Sequence, residues 1–281
     1  MLTLDSFIKS IDYLPPMPRN TTALINLLDR PDIDVDQVVE LISYDPALTA
    51  QVLRLCNSAF FGGAPASDIH EATVRVGFNE ILQLVVALGT ATLMRPQQKG
   101  YGIEAGDLWK HCVTSALVGK LVAVDCQADA SLAFTACMLH DIGKVALSRS
   151  LEAKYDEVVA ETKRCQSPML VVEQKLLGFD HAEVGGRLLQ LWNFPVQLVQ
   201  AVQFHHNPAA SPQHRELAAY AYYGNMIACF MGFGCGLEAL AFQGRSDALE
   251  IIGTTPEQIP GYMAKAFYAI RDTEALLCFP F

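Results

Sequence analysis

His140 and Asp141 stand side by side at the end of an apolar run, in Phe134 to Val145, F-T-A-C-M-L-H-D-I-G-K-V. A carboxylate and an imidazole are costly to bury unless a divalent metal or further polar groups match them. Five of the seven histidines, His111, His140, His181, His205 and His206, fall near helix ends or on helix faces. Imidazole with a carboxylate suits zinc, iron, nickel or manganese. Adjacent residues on a helix point about 100° apart. His140-Asp141 and His205-His206 must therefore sit at helix ends to serve one ion, or reach into two neighbouring sites. A single histidine on an apolar face is ordinarily a hydrogen-bonded core residue. Five on successive helices, with Asp141 among them, favour a shared centre. His70 and His214 lie in polar surroundings and read as surface residues.

The elements that must position these groups read as helices. After a short opening helix, Leu14-Pro15-Pro16-Met17-Pro18 forces an extended break. Asn20 reads as the cap of a helix with Ala23, Leu24, Leu27 and Leu28 on one face. Asp34 with Gln37 resembles a capping box, and Asp45-Pro46 a cap with proline at the first helical position. Phe60-Phe61-Gly62-Gly63 ends that unit, and Asp68 and Asn79 are expected to cap two further helices. Pro96, Gly100, Gly102 and Gly106 mark a boundary. Beyond it come a helix over 108–124 carrying His111, one over 130–139, and a charged amphipathic one over 151–165. Ser167-Pro168 starts a helix that stops at Gly178, Asp180 and Glu183 form a second capping box with His181 first in the helix, and Pro195 starts another. A helix over 216–232 carries Asn225, and Thr255-Pro256 opens a C-terminal segment ending in Leu276-Leu277-Cys278-Phe279-Pro280-Phe281.

No alternating strand run or fixed-period repeat is visible. The fold class is therefore all-α: an N-terminal helical lobe over 1–95, a second over 96–235 packed on it, and a C-terminal helical segment over 236–281. A chain of 281 residues with 51% hydrophobic content can bury a sizeable core. A net charge of −10 argues against a grip on nucleic-acid phosphate. The eight cysteines form no C-x-x-C pair and read as reduced, buried thiols of a cytoplasmic protein. The uncharged stretch from Leu217 to Leu237 holds Asn225, Gly232, Gly234 and Gly236. A buried helix running into a glycine loop fits it better than a membrane span. Met1 to Ile11, with Asp5 and Lys9, does not read as a signal peptide.

His111 followed by His140-Asp141 resembles the HD superfamily of metal-dependent phosphohydrolases. The surrounding text is closer to the HDOD family, the HD-related output domain of bacterial signalling. The matching stretches are L-P-P-M-P at 14–18, D-P-A-L-T-A-Q-V-L-R-L-C-N-S-A-F-F-G at 45–62, V-G-F-N-E-I at 76–81 and L-W-K-H at 108–111. They continue with M-L-H-D-I-G-K at 138–144, L-G-F-D-H-A-E-V-G at 177–185, L-W-N-F-P at 191–195 and F-H-H-N-P at 204–208. The resemblance implies that the second lobe is an HD-type bundle and that the whole chain is roughly one HDOD unit. Where the pattern usually reads A-D on the helix after His205-His206, this chain reads Gly224-Asn225, which removes one negative charge. The related cyclic-di-GMP phosphodiesterases carry H-H-E and then G-Y-P, whereas here Asn207-Pro208 follows the histidine pair and Met263 follows Gly261-Tyr262.

What the resemblance implies is a bacterial signal-transduction module, regulatory or ligand-binding, with a degenerate metal site. The alternative is a metal-dependent phosphohydrolase, with a metal-activated water attacking a phosphate ester. In either case His111, His140 and Asp141 are the expected primary ligands, with Asn225 a weak fourth. His181, His205 and His206 line the neighbouring position, with Asp141 bridging. The cofactor is iron, manganese, nickel or zinc, or none. In an enzyme Asp141 and Lys144 would be catalytic, Lys144 neutralising phosphate; otherwise Lys144 reads as a solvated lysine in a last helical turn. Glu183 reads as a cap rather than a base. Asp45, Asn57 and Ser58 read as cap and turn residues beside Phe60-Phe61. Expected partners are signalling proteins and a phosphate-containing ligand, with no nucleic acid and no membrane.

Overall fold

A computed structural model describes residues 3–11, 17–27, 34–58, 61–165, 168–234, 236 and 244–277. Leu14 to Pro16, Leu28, Phe60, Ser167, Cys235, Leu237 and Cys278 to Phe281, all read above, lie outside the described residues. The helices run α1 (Leu4–Ser10), α2 (Arg19–Leu27), α3 (Val35–Ser43), α4 (Pro46–Cys56), α5 (Ile69–Val76) and α6 (Phe78–Met94). After them come α7 (Asp107–Asp125), α8 (Ala130–Leu139), α9 (Ile142–Glu152), α10 (Tyr155–Cys165) and α11 (Met169–Leu177). The series ends with α12 (His181–Leu191), α13 (Val196–Gln203), α14 (Arg215–Phe230), α15 (Ser246–Ile251) and α16 (Ile259–Leu277). Among the described residues the sole β feature is an isolated bridge between Gln98 and Ile103, so the all-α expectation holds.

Local chemistry accounts for several helix starts. The Asp45 carboxylate accepts the amides of Ala47 and Leu48, and Pro46 takes the first helical position, where a missing N–H costs nothing. Asp68 and Asp129 cap α5 and α8 in the same way, and Asp180 with Glu183 closes a full capping box on α12. Three expectations need correction. Asn20 and Asn79 lie inside the first turns of α2 and α6 rather than before them; Gly77, at φ +101°, starts α6. Asp34 caps α3 through the amide of Asp36, a simple cap and not a box with Gln37. The charged helix expected over 151–165 is two elements, since Leu151 is a buried residue of α9 and α10 begins at Tyr155.

Two apolar clusters follow from these faces. The smaller holds Leu24, Val38, Ile42, Val52, Leu55, Ile69, Ile81 and Val85, from α2 to α6. The larger is built on α7, α8, α9, α12, α13 and α14, and also takes in Phe7 of α1, whose ring lies 5.1 Å from that of Phe179. Helix α6 is the shared wall, with Val85 in one cluster and Val86 in the other. By length and composition one described stretch, Ala130–Glu152, would cross a membrane, and 83% of its apolar window is buried in this core; the α5–α6 pair would also qualify if taken together, but it is bent by 117°. Asn57 holds the turn after α4: its amide group donates to the Ala66 carbonyl at 2.8 Å and accepts from the Ala66 N–H at 2.7 Å.

Candidate metal centre

The site forms where five helices of the larger cluster, α7, α8, α9, α12 and α13, bring their ends together. His111 lies in the second turn of α7. His140 closes α8 and Asp141 opens α9, so the junction turns two neighbouring side chains toward one point, as the 100° argument required. His181 is the first residue of α12, placed by the capping box, while His205 and His206 follow the end of α13. Lys144 sits in the first turn of α9.

Asp141 is the hub. Its Oδ2 lies 3.5 Å from His111 Nε2, 3.3 Å from His140 Nε2 and 2.8 Å from Lys144 Nζ. Its Oδ1 lies 3.4 Å from His181 Nε2 and 3.9 Å from His205 Nε2. The Nε2 atoms of His111 and His140 are 3.3 Å apart, and those of His181 and His206 are 2.8 Å apart. Two donor triads thus share one carboxylate: His111, His140 and Asp141 on one side, and His181, His205 and His206 on the other.

The opposite edge of each ring explains the orientation. His111 Nδ1–H donates to the Phe233 carbonyl at 2.9 Å, His140 Nδ1–H to that of Cys137 at 2.6 Å, and His205 Nδ1–H to that of Val202 at 2.7 Å. His181 Nδ1–H faces the Glu173 carboxylate at 2.8 and 2.9 Å. Acceptors on these four Nδ1 atoms direct the matching Nε2 atoms into the cage, the pattern by which second partners fix metal-binding imidazoles. Asp141 Oδ1 and His205 Nε2, both buried, have no hydrogen-bond partner among the described atoms. Such orphaned acceptors fit a cation, and nitrogen with carboxylate oxygen fits iron, manganese, nickel or zinc.

Electrostatics separate the rings. Burial disfavours a charged His181, but the charge and hydrogen bond of Glu173 outweigh it and raise the imidazole to about 9. His181 Nε2–H then donates to His206. Burial, reinforced by His140 and His181, holds His205 well below its ordinary value; burial with His205 and His181 does the same to His206. Burial works against the Asp141 carboxylate, yet His140 and Lys144 hold it well below the usual range. The metal-free chain should therefore be most stable near pH 6.5. The neutral His205 and His206 contribute fully above the unfolded value and are lost as pH falls, because the unfolded chain binds two more protons, a slope of up to about 2.7 kcal/mol per pH unit. The raised His181 contributes below the unfolded value and is lost as pH rises toward its folded value, at up to about 1.4 kcal/mol per unit. Urea unfolding between pH 4.5 and 9.5 reads both limbs, and His205→Gln/His206→Gln should flatten the acid one. An unchanged acid limb in that variant would remove the neutral-imidazole assignment.

Lys144 is not a solvated lysine. It is 1% exposed and paired with Asp141 in a first helical turn. Asn225 is fully buried; its Oδ1 accepts from the Cys229 thiol at 3.4 Å, its Nδ2 has no partner, and it makes no hydrogen bond to the histidines. Glu183 is the expected cap, His70 is exposed and His214 half-buried. Three participants escaped the sequence reading. Glu173 orients His181, the Tyr101 hydroxyl donates to Glu173 at 2.7 Å, and the Phe233 carbonyl in the glycine loop holds His111. The signal for Glu173 was a carboxylate inside the apolar run M-L-V-V-E.

The HDOD domain model matches residues 14–208. An uncharacterized protein of Treponema pallidum (strain Nichols) is 28% identical over 234 residues, 80% of this chain and 44% of that protein, so the chain spans under half the length of that relative. A crystal structure called "Putative phosphohydrolase", from Shewanella amazonensis SB2B, is 25% identical with a TM-score of 0.74, over 97% of this chain and 98% of that one. An HDOD domain protein with unknown function from Geobacter sulfurreducens shares the fold at a TM-score of 0.79 and 20% identity, over 98% and 97% of the two chains.

Proposed function

The chain belongs to the HDOD family, and from that premise we propose that it is a signal-transduction module built round a closed metal centre, acting through protein partners rather than by turnover. The observation that carries this reading is closure. His140, Asp141, His181 and His205 are 0% exposed and His111 and Lys144 1%, so of the cage's histidines only the half-buried His206 reaches the surface. A hydrolytic site needs a position open to substrate and water. Here Asp141 spends one oxygen on Lys144, and the neutral Asn225 stands where the HD pattern has a carboxylate. A bound transition ion would contribute folding energy by tying the ends of neighbouring helices together.

The second reading, a phosphohydrolase, is favoured by the two triads sharing Asp141 and by the name of the Shewanella structure. A bound ion would supply Lewis acidity to a phosphate ester. Lys144 would balance the ester's charge, and Asp141 and the imidazoles would hold the ion.

The test uses the full chain purified without a metal-affinity tag. Metal content is assayed, then hydrolysis of phosphomonoester and phosphodiester panels with added manganese, iron and nickel. The expected result is bound metal, no turnover above background, and a signalling protein recovered by pull-down. Turnover that disappears in both His140→Ala and Asp141→Ala would establish the hydrolase instead.

A further inference from the structure

We propose that the two sides of Asp141 take different cations: a single divalent ion on the Oδ1 side, with His181, His205 and His206, and the chain's own Lys144 ammonium on the Oδ2 side. This rests on the metal-centre reading above and assigns its stoichiometry and position.

Three observations agree. Asp141 Oδ2 already accepts a hydrogen bond from a cationic partner at 2.8 Å, whereas Oδ1 and His205 Nε2 are buried without a hydrogen bond. An ion bound at His181 Nε2 displaces the proton of that atom, so the Glu173 carboxylate behind the ring and Asp141 then face it as two anions, while on the other side an ammonium offsets the one carboxylate. Finally, His206 is half-buried and followed by the exposed Asn207, giving an ion a way in; His111, His140 and Lys144 are sealed.

One observation points the other way. Separations of 3.3, 3.3 and 3.5 Å among His111, His140 and Oδ2 are close to those of ligands on a common ion, while the 2.8 Å between His181 and His206 is tight. A small ring rotation relieves the latter. Two cations competing for one carboxylate oxygen in a buried site repel at close range, and no ring rotation relieves that. The charge difference therefore decides.

Native mass spectrometry of the full chain titrated with Co(II), with absorption spectra as the affinity readout, tests the assignment. The expected result is one ion per chain, with His205→Gln losing about a hundredfold more affinity than His111→Gln. Lys144→Met is expected to raise the stoichiometry from one to two by releasing Oδ2. Two ions on the unmodified chain, a greater loss from His111→Gln, or a folded Lys144→Met that still holds one ion would overturn the proposal and leave the metal-centre reading standing. No ion under any condition would overturn both. If Lys144→Met does not fold, the comparison of the two histidine variants decides.

Discussion

A Gly143→Ala chain is expected to lose roughly 3–5 kcal/mol of stability and to bind no metal, an effect at the upper end for a single added methyl group. A Cβ at position 143 would lie 1.9 Å from the His181 carbonyl oxygen, 2.9 Å from its carbon and 2.7 Å from the Gly185 nitrogen. All three are backbone atoms of α12, so no side chain can swing aside. The facing Gly185 is less confined: its Cβ position lies 2.8 Å from Val202 Cγ1 and 3.4 Å from the Gly143 nitrogen. Helices α9 and α12 therefore meet backbone to backbone, and the methyl group can enter only if α12 moves as a body. Because α12 starts with His181, that movement carries a ring nitrogen away from Asp141 and loosens its bond to Glu173. Gly261→Ala is the control, since nothing lies within 4 Å of a Cβ at that helical position. Urea unfolding and Co(II) titration read the outcome. A Gly143→Ala chain within about 1 kcal/mol of the parent would show that the contact between these helices is softer than described here.

Asp141→Asn should lose stability and metal together, for separable reasons. The substitution keeps the shape and removes the charge that balances Lys144, which is 1% exposed. Leaving one partner of a buried ion pair uncompensated costs about 3–5 kcal/mol. The same change takes the carboxylate from the His111–His140 triad and the oxygen that faces His181 and His205 from the other. Asp141→Asn/Lys144→Met removes the stranded ammonium as well. It should recover most of the lost stability while holding no ion after desalting. If the double variant is as unstable as the single one, the loss comes from packing and not from the orphaned charge. If it retains metal, Asp141 is not the hub.

How far the sequence could be read depended on the range of the interaction. Helix starts governed by a carboxylate and its own next residues, such as Asp45, Asp68 and Asp180 with Glu183, were legible because cap and helix adjoin in the chain. Asn20 and Asn79 misled because the same side chain is tolerated one or two places inside a first turn, and only the backbone path, with Gly77 at positive φ, decides. The histidines could be chosen from their placement at helix ends and from the HD-like motif. The supporting groups remote in the chain could not: Phe233 lies 122 residues from His111, and Tyr101 lies 72 from Glu173. Lys144 had a local signal that was passed over, an aspartate three residues before it on an otherwise apolar helix start.

The Tyr101 hydroxyl has a wider consequence. Tyr101 stands in the short segment that joins α6, the wall between the two apolar clusters, to α7, and that segment is pinned by the Gly100 amide on the Ser148 hydroxyl. Through Glu173 the same tyrosine reaches the ring of His181. The strap between the two halves is thus wired to the histidine cage by two hydrogen bonds in series. A displacement of the strap that breaks the Tyr101–Glu173 bond would alter the basicity of that imidazole, and by thermodynamic reciprocity whatever grips the imidazole would then bias the strap.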